Sequence, residues 1–226
     1  MVKITSKELI DVVKYTDKKI ILAEKIPSIE GGHKTGYFIL DLETLEKEVV
    51  TKNAYLIKKF GNSAFKKIGE SIADFSDCEA VILPNRNVFI IFSNGQCAMY
   101  DRKGEMLWQK ILTYNDKKVT GLAADGEYVW CCCKDEDCVI RYLADGNKLN
   151  LDLRIGSREA DTFKAPCFVS SDDEGIYVCC KNKLRKINRS DFIVSDVSEK
   201  LSGLKRFYRF GKYSLICTNE GAYIGE

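Results

Sequence analysis

The chain has 226 residues, with 35 Lys and Arg against 33 Asp and Glu, so its formal charge is only +2. That balance lacks the basic stripe that phosphate backbones require, which sets nucleic acid aside as the principal partner. A single histidine, His33, cannot assemble a His-based zinc site, and any His-dependent triad would have to run through it.

Residues 1–19 offer Leu9, Ile10, Val12 and Val13 as apolar residues, interrupted by Asp11 and Lys14, so no secretory leader is legible there. The longest unbroken apolar stretch, Tyr128 to Cys133, is far shorter than the roughly 18 residues of a membrane helix. The expectation is a cytoplasmic protein with no membrane partner, folded as one domain over 1–226. Ten cysteines are too few for a disulfide-built scaffold of this length. Seven of them, Cys131, Cys132, Cys133, Cys167, Cys179, Cys180 and Cys217, sit within apolar runs and are expected to be buried, reduced thiols.

The chain opens on a short β-branched segment, Val2 to Thr5, and then a single pattern recurs five times. Its centre is a continuous apolar run: Ile20 to Ala23, Val88 to Phe92, Tyr128 to Cys133, Ile176 to Cys180 and Tyr213 to Cys217. Four to six unbroken apolar residues mark strands covered on both faces. Ahead of each run lies another apolar segment: Leu9 to Val13, Ala80 to Leu83, Val119 to Ala123, Cys167 to Val169 and Phe207 to Phe210. After each run come turn residues and a third strand, as at Ser93-Asn94-Gly95 followed by Cys97 to Tyr100. Four of the units add a more polar fourth strand: Glu48 to Val50, Met106 to Ile111, Leu149 to Leu153 and Phe192 to Val194. The central runs start at 20, 88, 128, 176 and 213, and apart from the first these spacings match a propeller blade of roughly 40–50 residues.

The stretches Tyr37-Phe-Ile-Leu-Asp-Leu-Glu-Thr and Met99-Tyr-Asp-Arg-Lys-Gly-Glu-Met-Leu-Trp resemble the strand–turn–strand repeats of quinoprotein-like β-propellers. The WD dipeptide of WD-type blades is missing: Trp108 precedes Gln109 and Trp130 precedes Cys131. The resemblance implies an all-β fold, a five-bladed β-propeller of four-stranded antiparallel blades. The fifth unit stops at Glu226 without a fourth strand, and an open sheet edge invites aggregation. The N-terminal segment Val2 to Thr5 is therefore expected to complete it.

The first spacing is long because residues 51–77 form an insert, with Tyr55, Leu56, Phe60, Phe65, Ile68 and Ile72 near helical spacing. Gly61 and Gly69 interrupt that pattern and favour a connecting loop over a helix.

Chemical candidates are few. Alternation along a strand turns Cys132 away from Cys131 and Cys133, so these three cannot converge on one ion, and no metal is expected. Cys133 and Cys138 flank a hairpin loop and could face each other across it. The acidic clusters Asp135-Glu136-Asp137 and Asp172-Asp173-Glu174 lack calcium-loop spacing and read as turns. Neither phosphate-loop motif occurs, and no cofactor is expected. Asp11, on a first strand, is the carboxylate best placed for sugar hydrolysis, with Glu79 at the margin of another such strand, but that chemistry needs two acids at a set separation. The loops between blades share a face with those joining second to third strands. Glu30, His33, Lys34, Tyr114, Arg154, Arg158, Asp161 and Phe163 are the candidate binding residues there. The functional expectation is a non-enzymatic platform for a protein or peptide partner, the alternative being a propeller that binds a small ligand or carbohydrate.

Overall fold

The apolar runs dictate the architecture, because a strand with no polar face must lie between two layers. A computed structural model, which describes residues 1–72, 75, 78–197 and 201–226, shows how this is met. β1 is Val2–Thr5. Blade 1 comprises β2 (Leu9–Lys14), β3 (Lys19–Pro27), β4 (His33–Asp41) and β5 (Lys47–Val49). Two helices follow, α1 (Lys52–Phe60) and α2 (Phe65–Ser71). Blade 2 contains β6 (Cys78–Ile82), β7 (Val88–Phe92), β8 (Gln96–Tyr100) and β9 (Met106–Ile111). A small hairpin, β10 (Thr113–Tyr114) with β11 (Lys117–Lys118), leads to blade 3: β12 (Thr120–Asp125), β13 (Tyr128–Cys133), β14 (Cys138–Asp145) and β15 (Lys148–Ile155). Blade 4 has β16 (Phe168–Asp172), β17 (Gly175–Cys180), β18 (Lys183–Ile187) and β19 (Val194–Asp196). Blade 5 has β20 (Arg206–Phe210), β21 (Tyr213–Thr218) and β22 (Gly221–Gly225). The protein is a five-bladed β-propeller of antiparallel four-stranded sheets.

Each second strand divides its side chains between two cores. Cys131 and Cys133 join Phe89 and Ile91 between blades 2 and 3, whereas Cys132 joins Ile176 and Val178 between blades 3 and 4. Tyr177 and Cys179 then meet Phe207 at the next interface, and Leu215 and Cys217 meet Ile20 and Leu22 at the last. Small thiols suit such positions, where sheet faces approach from both sides. Cys167 departs from the expected burial. It precedes the inner strand β16 and is exposed, with its thiol directed at the Cys179 and Lys205 carbonyls. The other nine cysteines are buried, and none of the ten is disulfide-bonded.

β1 completes blade 5, as expected, by pairing Val2 with Ile224, Lys3 with Tyr223 and, across a bulge, Thr5 with Ala222. The outer strand of blade 4 begins two residues later than the sequence indicates. Phe192 adopts a left-handed φ of 59° in the preceding turn, where its ring packs on Trp130.

The insert corrects the loop expectation. Thr51 caps α1 through the Ala54 amide, and Gly61, at a φ of 86°, closes its C-terminus with an amide bond to the Ile57 carbonyl. Gly61 thus separates two helices instead of disrupting one. Gly69 lies inside α2, close against Leu56, where even a methyl group would crowd the contact. Tyr55, Leu56, Phe60 and Ile68 fill the space between Ile21 and Ala23 of blade 1 and Val88 and Ile90 of blade 2. The helices act as a wedge between these two blades. Residues 73, 74, 76 and 77 of the insert lie outside the described residues.

Loops between blades and loops after second strands share one face, tied by bonds such as Leu112 N–H to Gly95 O and Lys181 N–H to Lys164 O. The β3–β4 hairpin runs past the inner strand on this face, since β2 pairs no further than Glu24 while β3 and β4 remain paired to Pro27 and His33.

The seam between the chain ends is vulnerable at Gly221, whose φ is 131° and where an added Cβ would stand 2.2 Å from the Thr5 carbonyl oxygen. Gly221→Ala should lower unfolding free energy by about 2–4 kcal/mol and expose Lys3 and Lys7 to trypsin. Gly126→Ala, at a turn with open space around it, should cost only about 1 kcal/mol when both variants are compared by urea titration.

Candidate functional site

Side chains of the inner strands line the propeller axis, and three of them carry charge into it: Asp11 from β2, Glu79 from β6 and Arg206 from β20. A fourth charge comes from the wedge, where Tyr55 and Lys59 lie one helical turn apart on α1 and face the axis together. The Lys59 ammonium donates to Asp11 Oδ2 at 2.7 Å, to the Tyr55 hydroxyl at 3.0 Å and to the Cys78 carbonyl at 3.0 Å. Tyr55 also donates to Asp11 Oδ2 at 2.7 Å, and the Val12 amide donates to Oδ1 at 2.8 Å. Asp11 and Lys59 are respectively 6% and 5% exposed, so neither charge is left to water. Arg206 Nη1 stands 3.1 Å from Glu79 Oε1, 3.8 Å from Asp11 Oδ1 and 3.2 Å from the Tyr208 hydroxyl. The guanidinium also lies over the Phe168 ring.

The two carboxylates are driven apart in acidity. Burial would raise Asp11, but the charges of Lys59 and Arg206, with hydrogen bonds from Lys59 and Tyr55, hold it below its ordinary range. Glu79 is raised, first by burial and then by the Asp11 charge, and Arg206 and Lys59 offset this only partly. Because both acids reach one guanidinium nitrogen, their nearest oxygens are at most about 7 Å apart. Glu79 is thus the second axial carboxylate that lay at the margin of the sequence pattern. Its accessibility differs from that of Asp11: the Glu79 and Arg206 side chains are each 20% exposed, against 8% for the Asp11 side chain.

The Arg206–Glu79 contact crosses the axis between two cavities. One, of about 370 Å³, opens away from the loop face and is walled by Ala80, Leu122, Ala123, Phe168 and Val169, with Asp11, Lys59, Glu79, Ser170 and Tyr208 among its polar points and Lys14, Lys58 and Ser171 also on its lining. Ser170 Oγ is buried there with no hydrogen-bond partner in the protein. The other, of about 240 Å³, lies toward the loop face between Glu79, Arg206, Cys167, Thr120 and Ser93.

The residues singled out from the sequence are distributed around the loop face. Glu30 is exposed near the tip of the β3–β4 hairpin, and His33 and Lys34 line a third cavity beneath it together with Arg206. Tyr114 and Arg154 meet at 3.4 Å. Arg158 bonds to the Asp135 carbonyl and the Glu136 carboxylate, and Asp161 is an exposed residue with a φ of 47°. Phe163, read as a surface aromatic, is 1% exposed and packs under Gly156 with Trp130 and Val178. The acidic turns are spoken for locally: Asp137 accepts from the Ala165 amide, and Asp172 accepts from the amides of Glu174 and Gly175. No group of three or more potential metal ligands converges among the described residues, and none of the described helices is long and apolar enough to cross a membrane.

Cys133 and Cys138 are direct cross-strand partners. Their thiols share a hydrogen bond that lowers the Cys133 pKa and raises that of Cys138.

No protein-family model and no curated protein sequence matches the chain. Its fold is similar to that of a Bacteroides fragilis protein provisionally assigned as a 6-phosphogluconolactonase, at a TM-score of 0.54 and 11% identity, covering 92% of this chain and 76% of that one. It is also similar to a chain of the nidogen/laminin complex, at a TM-score of 0.51 and 11% identity, covering 94% of this chain and 73% of the other. Likeness at this identity extends to the fold.

Removing one partner of a buried ion pair leaves an uncompensated charge and costs about 3–5 kcal/mol. Lys59→Met should show that loss at pH 7 and a smaller one near pH 4, where protonation of Asp11 removes the orphaned charge. The wild type should behave in the opposite sense. With a folded-state pKa below the unfolded value of about 3.9, Asp11 contributes its stability above that pH and loses it on further acidification. Urea titrations of both proteins across pH 3–7 measure this.

Proposed function

We propose that the propeller binds a small polar, hydroxyl-bearing molecule at its axis, in the cavity reached from the side opposite the loops. The observation behind this reading is the wall composition. Apolar residues of four inner strands share the wall with charged and hydroxyl groups, among them a partly accessible carboxylate and an unpartnered hydroxyl, Glu79 and Ser170. Ligand pockets commonly combine an apolar lining with a few placed polar groups in this way. Recognition is favoured over hydrolysis. Two acids stand at a separation that sugar chemistry could use, but both Asp11 oxygens are engaged by Tyr55, Lys59, Val12 and Arg206. A carboxylate held in that way positions the wedge and the guanidinium, whereas a nucleophile or base has to reach substrate.

A second reading, the loop face as a platform for a protein or peptide partner in the cytoplasm, has one specific observation in its favour. Ile29, at the tip of the projecting hairpin, is 100% exposed. The reduced thiols accord with a reducing compartment.

Isothermal titration with a panel of monosaccharides and polyols tests the first reading. Saturable binding that Glu79→Gln and Ser170→Ala each weaken by about tenfold is expected, and no binding by any member would overturn it. The platform reading predicts a partner, identified by mass spectrometry and rebound in purified form, that Ile29→Asp fails to retain. Equal retention by wild type and variant would count against it.

A further inference from the structure

Beneath the projecting hairpin lies a cavity of about 530 Å³, separate in position from the axial one and bounded by Glu8 before β2, Lys25, His33 and Lys34 of the hairpin, and Lys205 and Arg206 entering β20. Arg206 is answered electrically by Glu79 and Asp11, so its charge can be set aside. Three lysines against Glu8 still leave a local charge of +2, which equals the net charge of the whole chain. This concave surface is therefore locally basic on a chain whose overall charge is close to balanced.

The lysines are poorly neutralised where they stand. Glu8 is shared between Lys25 at 3.5 Å and Lys205 at 3.9 Å, both loose contacts on side chains 44% and 48% exposed. Lys34 makes no ion pair among the described residues. Register places Lys34 opposite Ile26, on the sheet face of Ile20 and Leu22, the face that packs against blade 5, from which Lys205 comes. The backbone carrying these lysines is fixed: the Lys25 amide bonds to the Glu8 carbonyl at 3.0 Å and the Lys205 amide to the Cys217 carbonyl at 2.8 Å. Three ammonium groups that line one cavity and share a single carboxylate leave a positive field in it, which a bound anion would satisfy.

We propose that this cavity binds a small molecule bearing a phosphate group. Separate ammonium groups act as point charges, and a phosphate group gives them about two negative charges and three acceptor oxygens, where a carboxylate gives one charge and two oxygens. The only guanidinium lining this cavity, that of Arg206, is already engaged by Glu79. The site does not depend on the axial reading, because the Arg206–Glu79 pair is present whether or not the axis holds a ligand and Ser170 does not line this cavity.

The test uses inorganic phosphate and pyrophosphate as probes, with citrate as the carboxylate comparator, all at constant ionic strength. Thermal unfolding and isothermal titration are measured on the intact protein. Expected are saturable stabilisation by phosphate and tighter binding of pyrophosphate. Lys34→Gln should weaken binding about fivefold to tenfold, and the pair Lys25→Gln with Lys205→Gln should do so by more. These residues are solvent-facing, and circular dichroism of each variant checks that it folds. Ser170→Ala, which changes the axial cavity without touching Arg206, should bind phosphate as the wild type does, so failure here leaves the axial site standing, and the reverse also holds. Stabilisation that follows ionic strength alone, equal binding by the lysine variants, or preference for citrate would overturn the proposal.

Discussion

Asp11 is where the separate parts of this ring meet. It belongs to the first strand of blade 1, receives its hydrogen bonds from the helical wedge, and stands 3.8 Å from the guanidinium of blade 5. A carboxylate this deeply buried is tolerable only with its charge matched and its oxygens occupied. Lys59 has the same requirement, so each makes the other's burial affordable in free energy. The consequence is geometric: α1 can dock in one register only, the one that brings Lys59 to Asp11. With the helix fixed, the gap between blades 1 and 2 is filled and the inner strands surround a channel of defined width.

The same arrangement explains why Glu79 is available for binding and Asp11 is not. Lys59 is consumed by Asp11, leaving Arg206 to serve both acids, and it approaches Glu79 more closely. Burial raises the Glu79 pKa, and the cations near it, already shared with Asp11, offset that only in part. A carboxyl group accepts hydrogen bonds in its charged form and can also donate one in its neutral form.

Much of the fold was legible because burial on both faces leaves an unmistakable mark on a strand. Runs such as Tyr128 to Cys133 admit no polar face, and Asn-Gly or Asp-Gly turns at regular intervals do the rest. The borrowed strand Val2 to Thr5 followed from an unpaired edge. The insert was misread because a glycine at a helix C-terminus and a glycine inside a helix look alike in sequence. Only the φ of Gly61 and the closeness of Leu56 to Gly69 distinguish them. Phe163 was misplaced for a related reason: a loop residue that turns inward to cover Trp130 and Val178 carries no local signal of doing so.

The axial site was legible only in fragments. Its members stand at 11, 55, 59, 79, 206 and 208, and apart from the i, i+4 spacing of Tyr55 and Lys59 nothing local relates them. Arg206 in particular opens its strand on the polar side of an aromatic run and reads as an ordinary flanking residue. What relates these positions is circular order. Closing the chain brings its fifth inner strand beside its first and opposite its second, so a residue near the C-terminus can neutralise acids from the N-terminal half. In a propeller the chemistry of the axis is therefore set by closure, and it emerges once the blades are assigned and their first strands are compared at equal depth.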